Sequence, residues 1–309
     1  MKKFGLIGHP VAHSLSPALF KAGYDGRYPY DLIETSDFEE AYQRFLEDYD
    51  GINVTAPFKE LAFARADILS DECKVIRATN LLVRTPEGVK AYNSDYLGVR
   101  MWLYEVMTKL PSDMCPTGTP PTTWAPPPAA RGVARLSDTY PTKATEGDHF
   151  SRRPVVLIVG MGGAGKAAAI AAASLGMDLI LMNRNRSKAE AVSGIIATMP
   201  EAPAVKVRAL EEFRECFREA DIILYNIPAA IPELKELRDK DFTPSRPKFI
   251  MEANYKNPSC DDVFLAKMRN ANPMAEYTRG QTWLLYQAIT GYEIFTGEKP
   301  DLASMSAVL

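Results

Sequence analysis

Histidine and cysteine, the residues that most often hold transition metals, are scarce in this chain. It has 309 residues, of which three are histidine and four are cysteine. A multi-histidine metal site is therefore not expected. The cysteines form no C-x-x-C pair, which is typical of free thiols in a reducing compartment rather than of disulfides or a zinc site. They are Cys73, Cys115, Cys216 and Cys260.

Strong net charge and long hydrophobic runs are missing too. The net charge is −3, which gives no reason to expect a nucleic acid or an anionic membrane surface as a partner. No apolar run approaches the ~20 residues that span a bilayer, and the N-terminus enters a strand without a signal-peptide core. We therefore expect a cytoplasmic protein with no membrane association. Its length allows two hydrophobic cores, since single cores stop growing near ~250–300 residues.

Short apolar segments alternate with amphipathic ones over the first 110 residues. This alternation predicts an α/β fold with a mostly parallel sheet and helices on both faces. The predicted strands are 4–8, 30–34 and 51–56, followed by a hairpin over 79–92. The predicted helices are 17–23, 38–47, 60–69 and 98–110.

Residues 111–153 interrupt this order. They contain eight of the 23 prolines, a density that forbids a regular helix or a central strand. We interpret them as a flexible insertion or linker between domains. A tolerated surface insertion is favoured over a docking loop or lid anchored by Trp124, because lengthening a loop costs little.

A glycine-rich turn follows the apolar strand predicted at 154–160. Gly160, Gly162 and Gly165 fit G-x-G-x-x-G, with a strand before them and a helix after. Such a turn lets the backbone approach a pyrophosphate, which meets free N–H groups of Gly163, Ala164 and their neighbours at the helix start. A glycine-rich turn with no ligand is the alternative. The favoured interpretation is a dinucleotide site.

The end of the next strand, predicted at 179–182, indicates which dinucleotide binds. An NAD site places Asp or Glu there to hold the ribose hydroxyls. This chain has Asn183 and Arg184, with Arg186 and Lys188 close behind. Guanidinium groups bind a 2′-phosphate bidentately, whereas a carboxylate repels it. The sequence therefore predicts NADP, and solvated surface charge is the alternative for Lys188 in particular.

Residues 51–59 are patterned as a binding surface. In a strand Asn53 and Thr55 face one way, while Ile52 and Val54 face the other. Pro57 cannot donate to a sheet ladder and should end the strand. Lys59 then lies past its carboxyl end, where open α/β sheets bind ligands.

Short motifs with polar side chains also occur before and after residues 51–59. Ser14 and Ser16 precede a predicted helix, for which N-capping is an alternative role. Asn80 lies in Ala-Thr-Asn-Leu, and Asn93 and Asp95 lie in Asn-Ser-Asp; turn formation is the alternative for the two asparagines. Taken in order, these four motifs resemble the substrate site of shikimate dehydrogenases. The resemblance covers roughly residues 1–110 and 154–300.

The resemblance implies a role for each of these residues. Lys59 and Asp95 are expected to be the catalytic pair that protonates the C3 oxygen of 3-dehydroshikimate, and the two serines to bind the substrate carboxylate. The remaining implied substrate-binding residues are Asn53, Thr55, Asn80, Asn93, Tyr255 and Gln287. Gly280 opens the motif that contains Gln287 and is expected near the cofactor. This chain departs from the residue that is usual in the family at four positions, Leu81, Asn185, Glu252 and Trp283.

The resemblance also implies an architecture and an activity. Residues 1–110 with 280–309 would form a substrate domain and 154–279 a Rossmann NADP domain, with a cleft between them. The implied activity is NADP-dependent reduction of 3-dehydroshikimate to shikimate by a monomer or homodimer. An NAD-dependent quinate/shikimate dehydrogenase and a non-catalytic NADP sensor are the alternatives. The Asn183-Arg184 pair argues against the first, and retention of both Lys59 and Asp95 argues against the second.

Overall fold

The computed structural model describes residues 1–111, 114 and 152–309. These residues form two compact units, each with its own sheet. The first unit contains Met1–Gly98 and Leu284–Leu309, and the second contains residues 99–111, 114 and 152–283. The predicted domain limits at 110 and 280 remain a prediction, and most of the predicted proline-rich insertion, 111–153, lies outside the described residues.

The first unit is built on a six-stranded mixed sheet with the order β2-β1-β3-β5-β6-β4. Strand β5 runs antiparallel to β3 and to β6, while the β1–β2, β1–β3 and β4–β6 pairs are parallel. The strands are β1 Phe4–Gly8, β2 Tyr30–Glu34, β3 Gly51–Val54, β4 Ile68–Leu69, β5 Leu81–Thr85 and β6 Gly88–Tyr92. The first helices are α1 Ser16–Gly23, α2 Phe38–Asp48, α3 Lys59–Arg65, α4 Asp71–Ile76 and α5 Ser94–Met107.

The two faces of this sheet bury different residues, as the alternation in β3 predicts. Ile52 and Val54 pack with Phe38 and Phe45 of α2 in one cluster. The opposite face carries a cluster of aromatic residues that includes Phe4 and Phe20. Asn53 and Thr55 alternate with Ile52 and Val54, so they belong to that second face.

The second unit has a fully parallel six-stranded sheet with the order β12-β11-β10-β7-β8-β9. This is the doubly wound Rossmann order. Strands β8 and β9 are added on one side of β7 and strands β10 to β12 on the other, so the strand order reverses between β7 and β10. The strands are β7 Val155–Val159, β8 Asp178–Met182, β9 Val205–Arg208, β10 Ile222–Tyr225, β11 Lys248–Glu252 and β12 Ala275–Arg279. The helices are α6 Gly163–Ser174, α7 Arg186–Ala197, α8 Phe213–Glu219, α9 Pro232–Lys235 and α10 Asp262–Ala271, with α11 Gly280–Thr296 and α12 Leu302–Ser306 completing the chain.

The predicted fold class is confirmed, and the differences concern short elements. The helix predicted over 60–69 is wrong at its end, because Ile68 and Leu69 form β4 beside β6. Residues 71–76, for which no element was predicted, form α4. A two-residue strand has too short a pattern to detect and depends on its sheet neighbour. No described helix is long and apolar enough to cross a membrane.

Candidate active site

The carboxyl edge of the first sheet gathers the predicted substrate residues of that unit. Strands β1, β3 and β6 all end at this edge, and the antiparallel β5 begins there. Thr55 donates its N–H to Ile7 at 3.0 Å, and the Asn80 carbonyl accepts from Val54 at 2.8 Å. Residues as far apart in the chain as Ile7 and Thr55 therefore meet because of the strand order.

Lys59 and Asp95 form an ion pair at this edge. The Lys59 Nζ and Asp95 Oδ2 atoms lie 2.5 Å apart, with the side chains 23% and 6% exposed. Lys59 is the first residue of α3, directly after the turn that follows β3. Asp95 lies in the first turn of α5. An amine that is partly shielded from water and held by a buried carboxylate is suited to proton transfer.

Asn80 and Asn93 are buried beside this pair and make internal hydrogen bonds. The Asn80 amide accepts from the Ser94 N–H at 2.7 Å and donates to Ser94 Oγ at 3.0 Å. Asn93 donates to the Ala78 carbonyl at 3.1 Å and accepts from the Tyr96 N–H at 3.1 Å, which caps α5. Asn93 therefore caps α5, a local role comparable to the turn formation offered as its alternative, whereas Asn80 bonds to Ser94, 14 positions away. Binding of ring hydroxyls by these two amides stays a prediction.

Ser14 and Ser16 lie where the chain enters α1. The Ser14 hydroxyl donates to Ser16 Oγ at 3.0 Å and accepts from the Ser16 N–H at 3.2 Å. Leu15 is the N-cap residue, and no side chain caps this helix. The two hydroxyls therefore point to each other rather than serving as the helix cap.

Asn53 and Gln287 complete the predicted substrate residues of the first unit. The Asn53 Oδ1 atom accepts from the Tyr30 hydroxyl at 2.7 Å. Gln287 lies in α11 and packs against Gly98, where an added Cβ would come within 2.8 Å of the Gln287 nitrogen. Because only glycine permits this approach, α5 and α11 are closely packed at the level of Gln287.

The glycine loop of the second unit lies between β7 and α6, at the point where the strand order reverses. Gly160 has φ +96°, and a Cβ on Gly165 would come within 1.8 Å of the Gly160 carbonyl oxygen. Neither position tolerates a larger residue. Gly162 is the N-cap of α6 without a side-chain cap, and a Cβ there would meet nothing within 4 Å. The first N–H groups of α6 therefore face open space, which fits a pyrophosphate.

The turn after β8 is joined to this loop through Asn183. Its Oδ1 accepts from the Met161 N–H at 3.0 Å, and its amide donates to the Asn185 carbonyl at 2.8 Å. Arg184 and Lys188 are exposed. Arg184 makes no ion pair within the described ranges, whereas Arg186 pairs with Glu190 at 2.8 Å. The turn thus presents Arg184 and Lys188 as cations open to a phosphate.

Tyr255 lies in the loop after β11, which borders a cavity of about 370 Å³. Gly280 borders the same cavity. Burial raises the pKa of Tyr255. The loop is held by Glu252, whose buried carboxylate accepts from the N–H groups of Ser259 and Cys260. Tyr255 and Gly280 therefore line the same cavity of the second unit, and their roles in binding stay a prediction.

Comparison with known proteins agrees with the motifs. Residues 6–82 match the family model of the shikimate dehydrogenase substrate binding domain. The shikimate dehydrogenase (NADP(+)) of Thermotoga maritima is 37% identical over 114 residues, which are 35% of this chain and 43% of that protein. The resemblance to the shikimate dehydrogenase family is confirmed.

Solved structures extend the likeness in fold to the whole chain. Shikimate 5-dehydrogenase from Thermus thermophilus, in complex with NADP(H) and shikimate, has a TM-score of 0.70 at 22% identity, covering 100% of this chain and 98% of its own. Quinate dehydrogenase from Corynebacterium glutamicum, in complex with NAD, has a TM-score of 0.73 at 20% identity, covering 99% and 98%. At these identities the match shows that the fold is shared. The aligned sequence spans under half the length of the Thermotoga relative.

Two residues beside the shikimate dehydrogenase motifs escaped the sequence interpretation. Tyr30 bonds Asn53, but it lies 23 positions away in a strand that reads as ordinary core. Glu252 was noted only as a departure from the aspartate usual in the family. Its longer side chain reaches two backbone N–H groups and the Tyr277 hydroxyl. The bonds from Tyr30 to Asn53 and from Tyr277 to Glu252 have no sequence signal, because they depend on how the strands are ordered.

Proposed function

We propose that this protein is an NADP-dependent shikimate dehydrogenase, which reversibly reduces 3-dehydroshikimate to shikimate in the biosynthesis of aromatic amino acids. The observation that carries the proposal is the shielded Lys59–Asp95 ion pair, at the sheet edge of a unit that matches the family's substrate-binding domain. Related proteins of this name support the substrate and the cofactor. We expect it to act in the cytoplasm as a monomer or homodimer.

Each residue of the pair has a distinct part in the reaction. In the reductive direction the Lys59 ammonium hydrogen-bonds the ketone oxygen and gives it a proton as the alcohol forms. Asp95 orients that ammonium through the ion pair. In the oxidative direction neutral Lys59 takes the hydroxyl proton back. NADPH, when bound, supplies the hydride.

Substrate binding uses the remaining polar groups at the edge. Ser14 and Ser16 offer two neighbouring hydroxyl donors to the carboxylate. Asn53, Thr55, Asn80, Asn93 and Gln287 are assigned to the ring oxygens, and Tyr255 is assigned to substrate binding as well. Because the cluster combines hydroxyl, amide and amine donors, it suits a small anion with several hydroxyl groups.

Cofactor binding is assigned to the second unit. The α6 N-terminus and the loop Gly160, Gly162, Gly163, Ala164 and Gly165 hold the pyrophosphate, and Gly280 borders the nicotinamide end. Asn183 fixes the turn that carries Arg184, Arg186 and Lys188. Arg184 binds the 2′-phosphate, which favours NADP over NAD.

Initial rates of shikimate oxidation by the purified protein test this proposal, with NADP and NAD in parallel and quinate as the competing substrate. Turnover that requires shikimate and NADP is the expected result. Comparable rates with NAD or quinate would make it a quinate/shikimate dehydrogenase. Tight NADPH binding without any turnover would make it a non-catalytic NADP-binding protein.

A further inference from the structure

Tyr30 lies at the start of β2 with its hydroxyl directed at predicted substrate residues. The hydroxyl donates to Asn53 Oδ1 at 2.7 Å. Its ring contacts Phe20 of α1 with centroids 4.8 Å apart and Tyr292 of α11 at 6.1 Å. Packing from two helices therefore fixes the ring, and the ring fixes the hydroxyl.

The Asn53 amide is held from both ends. Its oxygen receives the Tyr30 hydroxyl, and its nitrogen points to the Asn80 carbonyl at 3.5 Å. One lone pair of the amide oxygen is therefore occupied, whereas the nitrogen keeps an N–H group that it can offer to a ligand. An amide held in this way favours an oxygen with free lone pairs at that position of the substrate.

A second tyrosine lies beside Tyr30. Burial raises the pKa of Tyr30 well above its ordinary value. The phenol is therefore neutral at physiological pH and acts through hydrogen bonding alone. The adjacent Tyr292 hydroxyl donates to the Ser16 carbonyl at 3.0 Å. Two packed tyrosines, Tyr30 and Tyr292, thus each hold one of the residues at which a ring oxygen and the carboxylate are expected.

We propose that Tyr30 is a positioning residue that sets Asn53 as a hydrogen-bond donor to the substrate. This rests on the proposed function, since the substrate it concerns is shikimate. Tyr30 acts through Asn53, and the chemical step remains with Lys59 and Asp95. Its loss should therefore weaken substrate binding far more than it slows the reaction.

The test is Tyr30→Phe, which removes only the hydroxyl. Leaving the Asn53 oxygen without its donor should raise KM for shikimate about five- to tenfold, with kcat changed less than about twofold and KM for NADP unchanged. Tyr28→Phe is the matched control. Tyr28 belongs to the same aromatic cluster, but its hydroxyl donates to Glu298 at 2.9 Å. The KM of the Tyr28→Phe variant for shikimate should therefore equal that of the wild type.

A double-mutant cycle separates positioning from a general loss of packing. In an Asn53→Ala background, Tyr30→Phe should have almost no further effect on KM for shikimate, because the group it positions is gone. Equal effects in both backgrounds would overturn the inference, as would an unchanged KM in Tyr30→Phe alone. A wild-type protein that does not turn over shikimate would overturn the proposed function itself, which is a different result.

Discussion

Lys59 and Asp95 show how much depends on a single pair of side chains. Replacing Lys59 by Met removes the proton donor and leaves a buried carboxylate without its cation. We expect kcat for shikimate oxidation to fall by about 10²–10⁴-fold, with the NADPH dissociation constant within about twofold of wild type. Steady-state rates and a fluorescence titration with NADPH measure the two effects.

Lys74→Met is the control for that substitution. Lys74 pairs with Asp71 at 2.8 Å on the surface, where both side chains are largely exposed. It should keep wild-type turnover, since exposed pairs contribute little. Turnover by Lys59→Met at the wild-type rate would exclude Lys59 as the proton donor.

Lys248 is a buried lysine that the proposed reaction does not use. Its Nζ donates to the carbonyl oxygens of Phe217 at 2.7 Å and Ala220 at 2.5 Å, and its side chain is fully buried. Burial lowers its pKa from 10.5 to about 7, with Arg246 adding to the effect. Between these two pH values the unfolded chain holds a proton that the native protein has lost. The contribution of Lys248 to the free energy of unfolding therefore rises as the pH increases from about 7 to 10.5, and it is constant below about pH 7.

Comparison with Lys248→Met tests this pH dependence. From pH 7 to pH 9 the free energy of unfolding of the wild type should rise by about 2 kcal/mol relative to the variant. Urea unfolding at the two pH values measures the difference. The exposed pair Lys206–Glu219 supplies the control, and Lys206→Met should not change the pH dependence. Parallel curves for the wild type and Lys248→Met would contradict the lowered pKa.

At the scale of the elements, the junction of β7 with α6 depends on glycine. Gly165→Ala places a Cβ within 1.8 Å of the Gly160 carbonyl oxygen, so the helix must move away from the strand. We expect a loss of stability of about 1–3 kcal/mol and at least a tenfold weaker NADPH affinity. Thermal unfolding and cofactor titration measure them.

Gly194 offers a matched control for that change. It lies within α7, and a Cβ there would meet nothing within 4 Å. Gly194→Ala should therefore stabilise the protein by about 0.5–1 kcal/mol, because alanine is the better helix former. If both variants bound NADPH like the wild type, the glycine loop would not be the pyrophosphate site.

At the scale of the whole molecule, the fold is retained more widely than the sequence. The family model matches only residues 6–82, whereas solved structures match the whole chain at 20–22% identity. The glycine loop and the turn after β8 keep the expected cofactor site within this fold. Cofactor binding should therefore stabilise the native protein, even though the whole of the second unit lies outside the residues that match the family model.

Cofactor binding should raise the unfolding temperature of the whole protein. At a hundred times its dissociation constant a ligand stabilises the native state by about 2.7 kcal/mol. At equal concentrations NADP should shift the unfolding temperature more than NAD. In the Arg184→Ala variant NADP should bind about tenfold more weakly, so it should raise the unfolding temperature less than it does in the wild type. The rise caused by NAD should be unchanged. The exposed Arg269 gives a control that should retain both shifts, and larger shifts with NAD than NADP would reverse the cofactor assignment.

The sequence by itself determined the elements whose residues signal locally. The G-x-G-x-x-G turn, the alternation of Ile52, Asn53 and Val54, and the strand-ending Pro57 each express a backbone or packing requirement within a few residues. These patterns predicted the α/β class, the glycine loop and the position of Lys59 past a strand end. Short elements such as β4 and α4 gave no period long enough to recognise.

The tertiary structure alone decided which of these residues meet. That Lys59 reaches Asp95 and that Tyr30 holds Asn53 depends on strand order and register. Local propensity carries no information about such contacts, because the partners are 23 and 36 residues apart and the strands between them could be ordered otherwise. The sequence therefore identified most of the polar side chains of the predicted site, and the strand order of each sheet determined which of them lie close together.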